Sequence, residues 1–526
     1  MTEHEGTAVA EGRKSRYWIG WAVGVVLALA TAFFVGVAYD RYKDDAAWRE
    51  ACAELDRTNP RWRWQQLQAD RPAMPDGENA ALVATQASRI ASSRWPDWGG
   101  VLPLDRVRVD AESGGEESST TDEASMAAGQ RRTEEGQHLL DGLYDLPPNA
   151  RLRPYQADAL RAAFAEPVAA AAVAEAMKME RLQAGYLPRS WTSPLISTNF
   201  VGDIQSLRAT ANILDLSARS LCEEGRGDEA LARARALIVL SRATGEESMI
   251  DALVECAIRA IAVGSTQRTL AQTEPNGEAL AATQVSFEDD AKRPRLANAF
   301  RWERAIVEDT IRSLDEGRLG PDVRMQMAGP APVVTGVAQI DEALHRLRGG
   351  SLRKRDYVAV LADYSRRIEL ASAGPDELRR HQAELAAAEA ALPAYLVGSA
   401  PKVVEADMRS TALVRSARTA LAAERFRRAQ GRWPTAIDEL VPAYLRSVPL
   451  DPFDLKPLKL AKKPDGIVIY SIGTDNTDNG GEVLAFPDFT AMTDSGVRLW
   501  DVSARHASPP LPKVEFMPEG GTPGGP

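Results

Sequence analysis

Cysteine is scarce in this chain of 526 residues: only Cys52, Cys222 and Cys256 occur. So small and odd a set builds no disulfide framework. Cys222 and Cys256 fall in neighbouring predicted helices, where an oxidising compartment would allow one bridge. Two small buried thiols are the plainer account of both. Histidine is equally sparse. His4, His138, His345, His381 and His506 are scattered, and none forms HExxH or another metal-binding spacing. No GxSxG elbow, Walker A loop or dinucleotide fingerprint occurs. A basic excess is also missing, since 63 Lys and Arg face 74 Asp and Glu, for a net charge of -11. That balance argues against nucleic acid as a partner, because such proteins carry a basic face. Aromatic residues make up only 6% of the chain while alanine recurs in runs, which favours helix.

What is present begins with one long uncharged run. Residues 17–39 read YWIGWAVGVVLALATAFFVGVAY. As a helix this run is about 35 Å long, enough for a hydrocarbon core of about 30 Å. Tyr17, Trp18 and Trp21 lie at one end, with Tyr39 and Tyr42 at the other, in the aromatic-belt pattern of a spanning helix. Arg13, Lys14 and Arg16 precede the run. Arg41 and Lys43 follow it among Asp40, Asp44 and Asp45. The slight Lys/Arg excess before the span puts the N-terminus inside. Gly36 and Ala38 would also suit a cleaved signal peptide, but the apolar stretch exceeds a signal core of about 7–15 residues. The expectation is therefore a single-pass anchor in a bacterial inner membrane, with its lipid contact through residues 17–39 and the bulk outside the cytoplasm.

The rest of the chain divides by composition. A tail over 1–16 precedes the span, and 40–110 is a juxtamembrane helical region rich in tryptophan (Trp48, Trp62, Trp64, Trp95, Trp98). Rim aromatics or core packing explain these rings better than a binding platform. Residues 111–137 carry Glu112, Glu116, Glu117, Asp122 and Glu123 with few large apolar groups, the composition of a flexible acidic linker. Residues 138–399 read as an irregular helical domain. Ile204, Leu207, Ala211, Leu214, Ala218 and Leu221 step along one face, followed by Leu231, Ala234 and Ile238, with Asp228 as a cap. Further faces run through Ile250, Leu253, Ala257 and Ile261, and through Tyr357, Leu361, Tyr364 and Ile368. Pro375, Asp376 and Glu377 open another helix. The acidic pairs Glu223–Glu224 and Asp289–Asp290 read as solvated helix ends. The tail 508–526 is rich in Pro and Gly and reads as disordered.

After residue 400 the pattern changes. A long, polar, amphipathic helix is expected over 402–430, then a capping box of Thr435 and Asp438 before a short helix through Leu440 and Val441. KPDG at 463–466 marks a turn between two short strands, and GVRLWDVS at 496–503 a third. Over 424–483 this region resembles the globular part of the major pseudopilins of type II secretion systems. The matching residues are Gly431, Arg432, Trp433, Pro434, Leu440, Tyr444, Leu445, Pro449, Asp451, Pro452, Phe453, Tyr470, Ser471 and Gly473. The pseudopilin leader, Gly-Phe cleavage site and early mature-helix Glu have no counterpart near Tyr17. The whole chain looks like uncharacterised bacterial membrane-anchored proteins that carry the module at their C-terminus. The resemblance implies an α+β module over 400–507 and calcium on the acidic loop. Asp475 falls at the first ligand position and Asp488 near the second, with Asp478 and Glu482 between. A solvated Asp/Asn/Gly turn is the ordinary alternative.

The fold class expected is thus mainly α: a transmembrane helix, an irregular helical domain and a small α+β module with a short antiparallel sheet. The function expected is a scaffold or interaction protein outside the cytoplasm, with protein partners there and no evident catalytic residue. The rival readings are an accessory of a type II secretion or pilus-like system, and an extracytoplasmic enzyme whose site is assembled from scattered residues.

Overall fold

The computed structural model describes residues 5–71, 73–92, 143–144, 146–186, 199–245, 247–318, 354–392, 400–483 and 494–510. The acidic stretch 111–137, Trp95, Trp98, Asp488 and the terminal 511–526 lie outside them. In chain order the helices are α1 (Glu5–Thr58), α2 (Trp64–Ala69), α3 (Ala80–Ser92), α4 (Pro154–Ala165), α5 (Pro167–Met177), α6 (Asn199–Glu223) and α7 (Gly227–Ser241). There follow α8 (Met249–Gln272), α9 (Gly277–Asp290), α10 (Arg295–Asp315), α11 (Lys354–Ala373), α12 (Pro375–Arg380), α13 (Gln382–Ala390) and α14 (Ala400–Gln430). Strands β1 (Lys459–Lys463), β2 (Gly466–Ser471) and β3 (Ser495–Trp500) form one antiparallel sheet in that order. The protein is therefore mainly helical with one small sheet, as the composition implies.

The chain forms two compact units. The smaller comprises Met1–Arg71, Arg301–Arg366 and Glu384–Gly398. Its first element, α1, continues unbroken well past the apolar run. Along residues 20–39 the large apolar side chains face outward, Trp21 being 74% exposed. Farther along the same helix the burial reverses. Trp48 and Cys52 pack with Trp62, Ile311, Tyr357 and Leu361 in a separate core. Trp62 is held by an indole N–H bond to Asp56 Oδ1 of 3.0 Å, and the guanidinium groups of Arg63 and Arg304 each lie 5.4 Å from its ring. Trp64 meets Trp302 edge to face at 5.1 Å. These tryptophans are core residues with cationic lids, an arrangement in which ring faces attract guanidinium charge.

The larger unit comprises Pro72–Phe300, Arg367–Ala383 and Ser399–Pro526. Its core joins Leu207, Leu237 and Leu280 of three helices to Leu421 of α14 and to Ile469 and Leu499 of the sheet. The expected faces of α6 and α7 are inside: Leu207, Ala211, Leu214, Leu231, Ala234 and Ile238 are all buried. Four expectations are corrected. On α8, Ile250 and Leu253 are 42% and 39% exposed, and the inward face carries Ala252, Glu255, Cys256 and Arg259. Burial there follows charge pairing across helices, described below, and not apolar spacing alone. Asp228 does not cap α7; its carboxylate accepts from Asn276 N at 2.7 Å and Nδ2 at 2.5 Å, tying α7 to the start of α9. Helix α14 is not amphipathic. It is buried nearly all round, from Val403 to Phe426, because the other helices and the sheet cover it on several sides. Thr435 N donates to Glu439 Oε1 at 2.7 Å, but the short helix Ile437–Leu440 starts after Ala436 and has no side-chain cap, so Thr435 and Asp438 form no capping box.

All three cysteines are free and buried. Cys222 Sγ lies 3.6 Å from Thr269 Oγ1, and burial pushes its thiol up to about 11. The plainer account of Cys222 and Cys256, two small buried thiols, is what the packing shows.

The sheet lacks the in-out alternation of a half-exposed antiparallel sheet. Every residue of β2 is buried. Ile467 and Ile469 join the helical core. On the other face Val468 and Tyr470 lie under Gly481 of the loop that leaves β2. The KPDG turn closes with Lys463 paired to Gly466. Gly466 has φ +151, and a Cβ there would sit 2.0 Å from Leu499 O on β3. Glycine is required by both the torsion and the approach of the third strand. Gly466→Ala is therefore expected to lower stability by about 1–3 kcal/mol through backbone strain, with further loss if β3 is displaced; chemical denaturation checks it, and an unchanged midpoint would contradict the packing.

Candidate functional site

The residues nominated from the sequence lie in the loop after β2. Asp475 Oδ1 accepts from Thr477 N at 3.0 Å, a local turn closure. Asp478 is more engaged. It accepts from Tyr470 Oη and Gly480 N, both at 3.0 Å, and its second oxygen lies 3.2 Å from Lys459 Nζ. The Gly480 amide, Tyr470 hydroxyl and Lys459 ammonium hold the Asp478 carboxyl below the usual range. Asp488 lies outside the described residues. Among the described residues, no three His, Cys, Asp or Glu side chains group to hold a metal. Sequence reasoning missed Asp494, which is buried and accepts from Gly481 N at 2.7 Å and Asn479 N at 3.3 Å. Two acids thus fold the loop back over β2 through backbone amides.

The motif residues of the module meet at another acid. Asp451 is buried and accepts from Ser471 Oγ, Phe453 N and Ile472 N, each at 2.8 Å. The Pro-x-Asp-Pro-aromatic segment is thereby joined to the Tyr-Ser-x-Gly segment. Burial raises the Asp451 carboxyl, and the three donors act against that.

A larger concentration of charge lies in the helical core of the same unit. Asp290, the last residue of α9, is fully buried. Arg242 Nε donates to its Oδ1 at 3.1 Å, and Arg259 Nε lies 2.8 Å from its Oδ2. Arg295 Nη1 donates to the Asp290 backbone carbonyl at 2.9 Å, while Nη2 reaches Asp407 Oδ1 at 3.2 Å and Nε lies 3.5 Å from Glu255. Ser410 Oγ accepts from Arg259 Nη1 at 2.9 Å. Three arginines thus meet Asp290, Glu255 and Asp407, and the formal charges cancel. The expectation that Asp289 and Asp290 form a solvated helix end fails for Asp290. Its neighbour Asp289 does face solvent and pairs with Lys292 at 2.9 Å.

Charge inside a core is tolerated only when it is paired and hydrogen-bonded. Burial alone would raise the Asp290 carboxyl, but Arg259, Arg295 and Arg242 together outweigh it and hold Asp290 below its ordinary value. Burial would likewise discharge Arg295, yet Asp407, Glu255 and Asp290 keep its pKa above that of a free guanidinium. Cys256, buried beside Asp407, has its thiol pushed up to about 12 and stays protonated at neutral pH. The chemistry held here is fixed opposite charge.

A cleft of about 320 Å³ opens onto this cluster, with Arg295 and Asp407 in its wall. Lys292, Arg293 and Pro294 form one side, and Ser372, Gly374 and Leu378 belong to the other. The volume lies at the lower end of small-molecule sites, about 300–1,000 Å³. The ion cluster adjoins open space at this cleft, and Lys292 and Arg293 make its rim basic. Helix α14 thus serves the larger unit twice, placing Asp407 in the cluster and Phe426 in the core.

Asp290→Asn keeps the shape of the cluster and removes its central charge. A loss of about 3–5 kcal/mol is expected, because Arg242 and Arg259 would be left buried without their shared carboxylate. The stabilisation from Asp290 is complete above the unfolded carboxyl pKa of about 3.9 and is lost as pH falls through the lower folded value. The gap between wild type and Asp290→Asn in denaturant midpoint is therefore wide at pH 7 and closes below about pH 4. A variant with wild-type stability at neutral pH would refute the role of Asp290. Comparison with protein-family models, curated proteins and solved structures found no match to this chain.

Proposed function

We propose that this chain is a membrane-tethered interaction protein whose larger unit works outside the cytoplasm of a bacterial cell. One observation carries the reading: α1 is long and apolar enough to cross a membrane, and its apolar stretch has none of its residues buried against the protein. Water would leave Trp21, Leu27, Leu29 and Phe34 exposed together along one helix. A bilayer removes that surface from water. The aromatics at both ends support a spanning helix, and the slight basic excess before it supports an N-terminus inside. The larger unit supplies the surface for recognition, with a rigid core and a cleft rimmed by Lys292, Arg293 and Arg295.

An accessory role in a type II secretion or pilus-like machine is the second reading. The contact between Asp451 and Ser471 supports it, since both lie in segments that resemble the pseudopilins. Under that reading the loop carrying Asp475, Asp478 and Asp488 takes calcium, an ion that accepts about six to eight oxygens from carboxylates, amides and carbonyls.

Two measurements test these readings. After alkaline carbonate washing, the intact protein should remain with the membrane fraction, and protease added to spheroplasts should digest the chain beyond the span. Recovery of the wild-type chain in the wash supernatant would refute the tether. Calcium titration of the intact protein by calorimetry should give saturable heat by millimolar calcium, lost in Asp475→Ala. A flat isotherm would leave the loop as a solvated turn. The intact chain is needed because α14, where the module begins, is buried along most of its length by the unit around it.

A further inference from the structure

Besides the cleft at Arg295, the larger unit carries a groove of about 590 Å³ between α4, α5, α6 and α7. Its size falls in the range of small-molecule sites, about 300–1,000 Å³. Phe164, Val173, Met177 and Leu221 give it apolar walls, while Ser217, Ser220 and Arg233 line it with polar groups. The cations around it differ in one respect. Arg161 pairs with Asp158 at 2.8 Å, and Arg226 reaches Glu229 at 2.7 Å and Glu224 at 2.8 Å. Arg233 has no such partner among the described residues. Its hydrogen bond is from Nε to Ser217 Oγ at 3.2 Å.

The two acids whose charge reaches Arg233, Glu229 and Glu180, are each committed elsewhere. Glu229 is forked by Arg226, and Glu180 Oε1 accepts from Arg235 Nε at 2.8 Å. Burial depresses the Arg233 pKa below that of a free guanidinium, against the pull of those acids. A half-buried guanidinium that lines an apolar-walled groove thus has no ion-pair partner of its own among the described residues. The ion cluster around Asp290 shows the opposite pattern, each arginine being matched inside the protein.

We propose that this groove binds a monoanionic amphiphile, specifically an aliphatic carboxylate with one medium or long chain. The carboxylate sits on Arg233, whose planar fork matches two carboxylate oxygens. The hydroxyls of Ser217 and Ser220 lie at the same groove as further donors. The chain lies against Phe164, Val173, Met177 and Leu221, where burial of each methylene contributes about 0.8 kcal/mol. One unmatched positive charge selects one negative charge, which favours a carboxylate over a phosphate dianion. The proposal stands on the larger unit alone and does not depend on the membrane tether.

The test uses the intact protein held in amphipol, with a dansyl-labelled undecanoate as the reporter and dodecanoate or dodecanol as competitor. Dodecanoate should displace the reporter saturably, and dodecanol far less well. Arg233→Gln should weaken dodecanoate by about ten- to a hundred-fold, the range for lost hydrogen bonds to a charged group, and abolish the preference over dodecanol. Ala174 is exposed and lines the groove, so Ala174→Trp should fill it and weaken both competitors without lowering helicity or melting temperature. Absence of reporter displacement in the wild type would overturn the proposal. So would equal dodecanoate affinity in wild type and Arg233→Gln, or unchanged binding in a folded Ala174→Trp.

Discussion

The larger unit depends on a single carboxylate. Asp290 ends α9 in the interior, where Arg242 after α7, Arg259 of α8 and Arg295 at the start of α10 converge on it. Asp407 extends the cluster to α14 and Glu255 completes its charge. Five helical segments are therefore positioned by one electrostatic constraint. Hydrophobic burial drives these helices together without direction. Paired charges have direction: a guanidinium rotated away from its carboxylate is left buried and alone. That asymmetry explains why α8 presents Glu255 and Arg259 inward and leaves Ile250 and Leu253 in water.

The same logic, at smaller scale, holds the C-terminal region against the helices. Glu424 is buried in α14 and is reached by Arg427 at 2.6 Å and Arg505 at 2.9 Å. Arg505 also donates to the Trp500 carbonyl at the end of β3 at 3.0 Å. The central strand β2 then has no free face, with the core on one side and the loop tied by Asp478 and Asp494 on the other. This gives the acidic loop a structural role through its amides.

Matched and unmatched charge separate scaffold from candidate site in this protein. Where arginines are matched, as at Asp290 and Glu424, they fix the packing. Where one has no ion-pair partner among the described residues, at Arg233, a groove with apolar walls lies beside it. The basic rim of the cleft at Arg295 lies between these cases, since Lys292 pairs with the exposed Asp289 while Arg295 is fully engaged inside.

Local signals in the sequence were sufficient for the local features. The apolar run, the faces of α6, α7 and α11, the helix from Pro375, the KPDG turn and the three strands all follow from periodicity and turn chemistry, which act over a few residues. The buried thiols were legible as well, from the scarcity of cysteine. The motif segments around Asp451 and Ser471 could be recognised separately, but not the hydrogen bond between them. Composition could not place Asp290 inside, because an Asp-Asp pair at a helix end has the same sequence whether water or arginines from elsewhere in the chain surround it. Nor could it show α14 as central, since that depends on how many neighbours cover one helix. A helix long and apolar enough to cross a membrane was legible in residues 17–39 from hydrophobicity alone; which charges the larger unit buries in pairs was decided only when distant segments met.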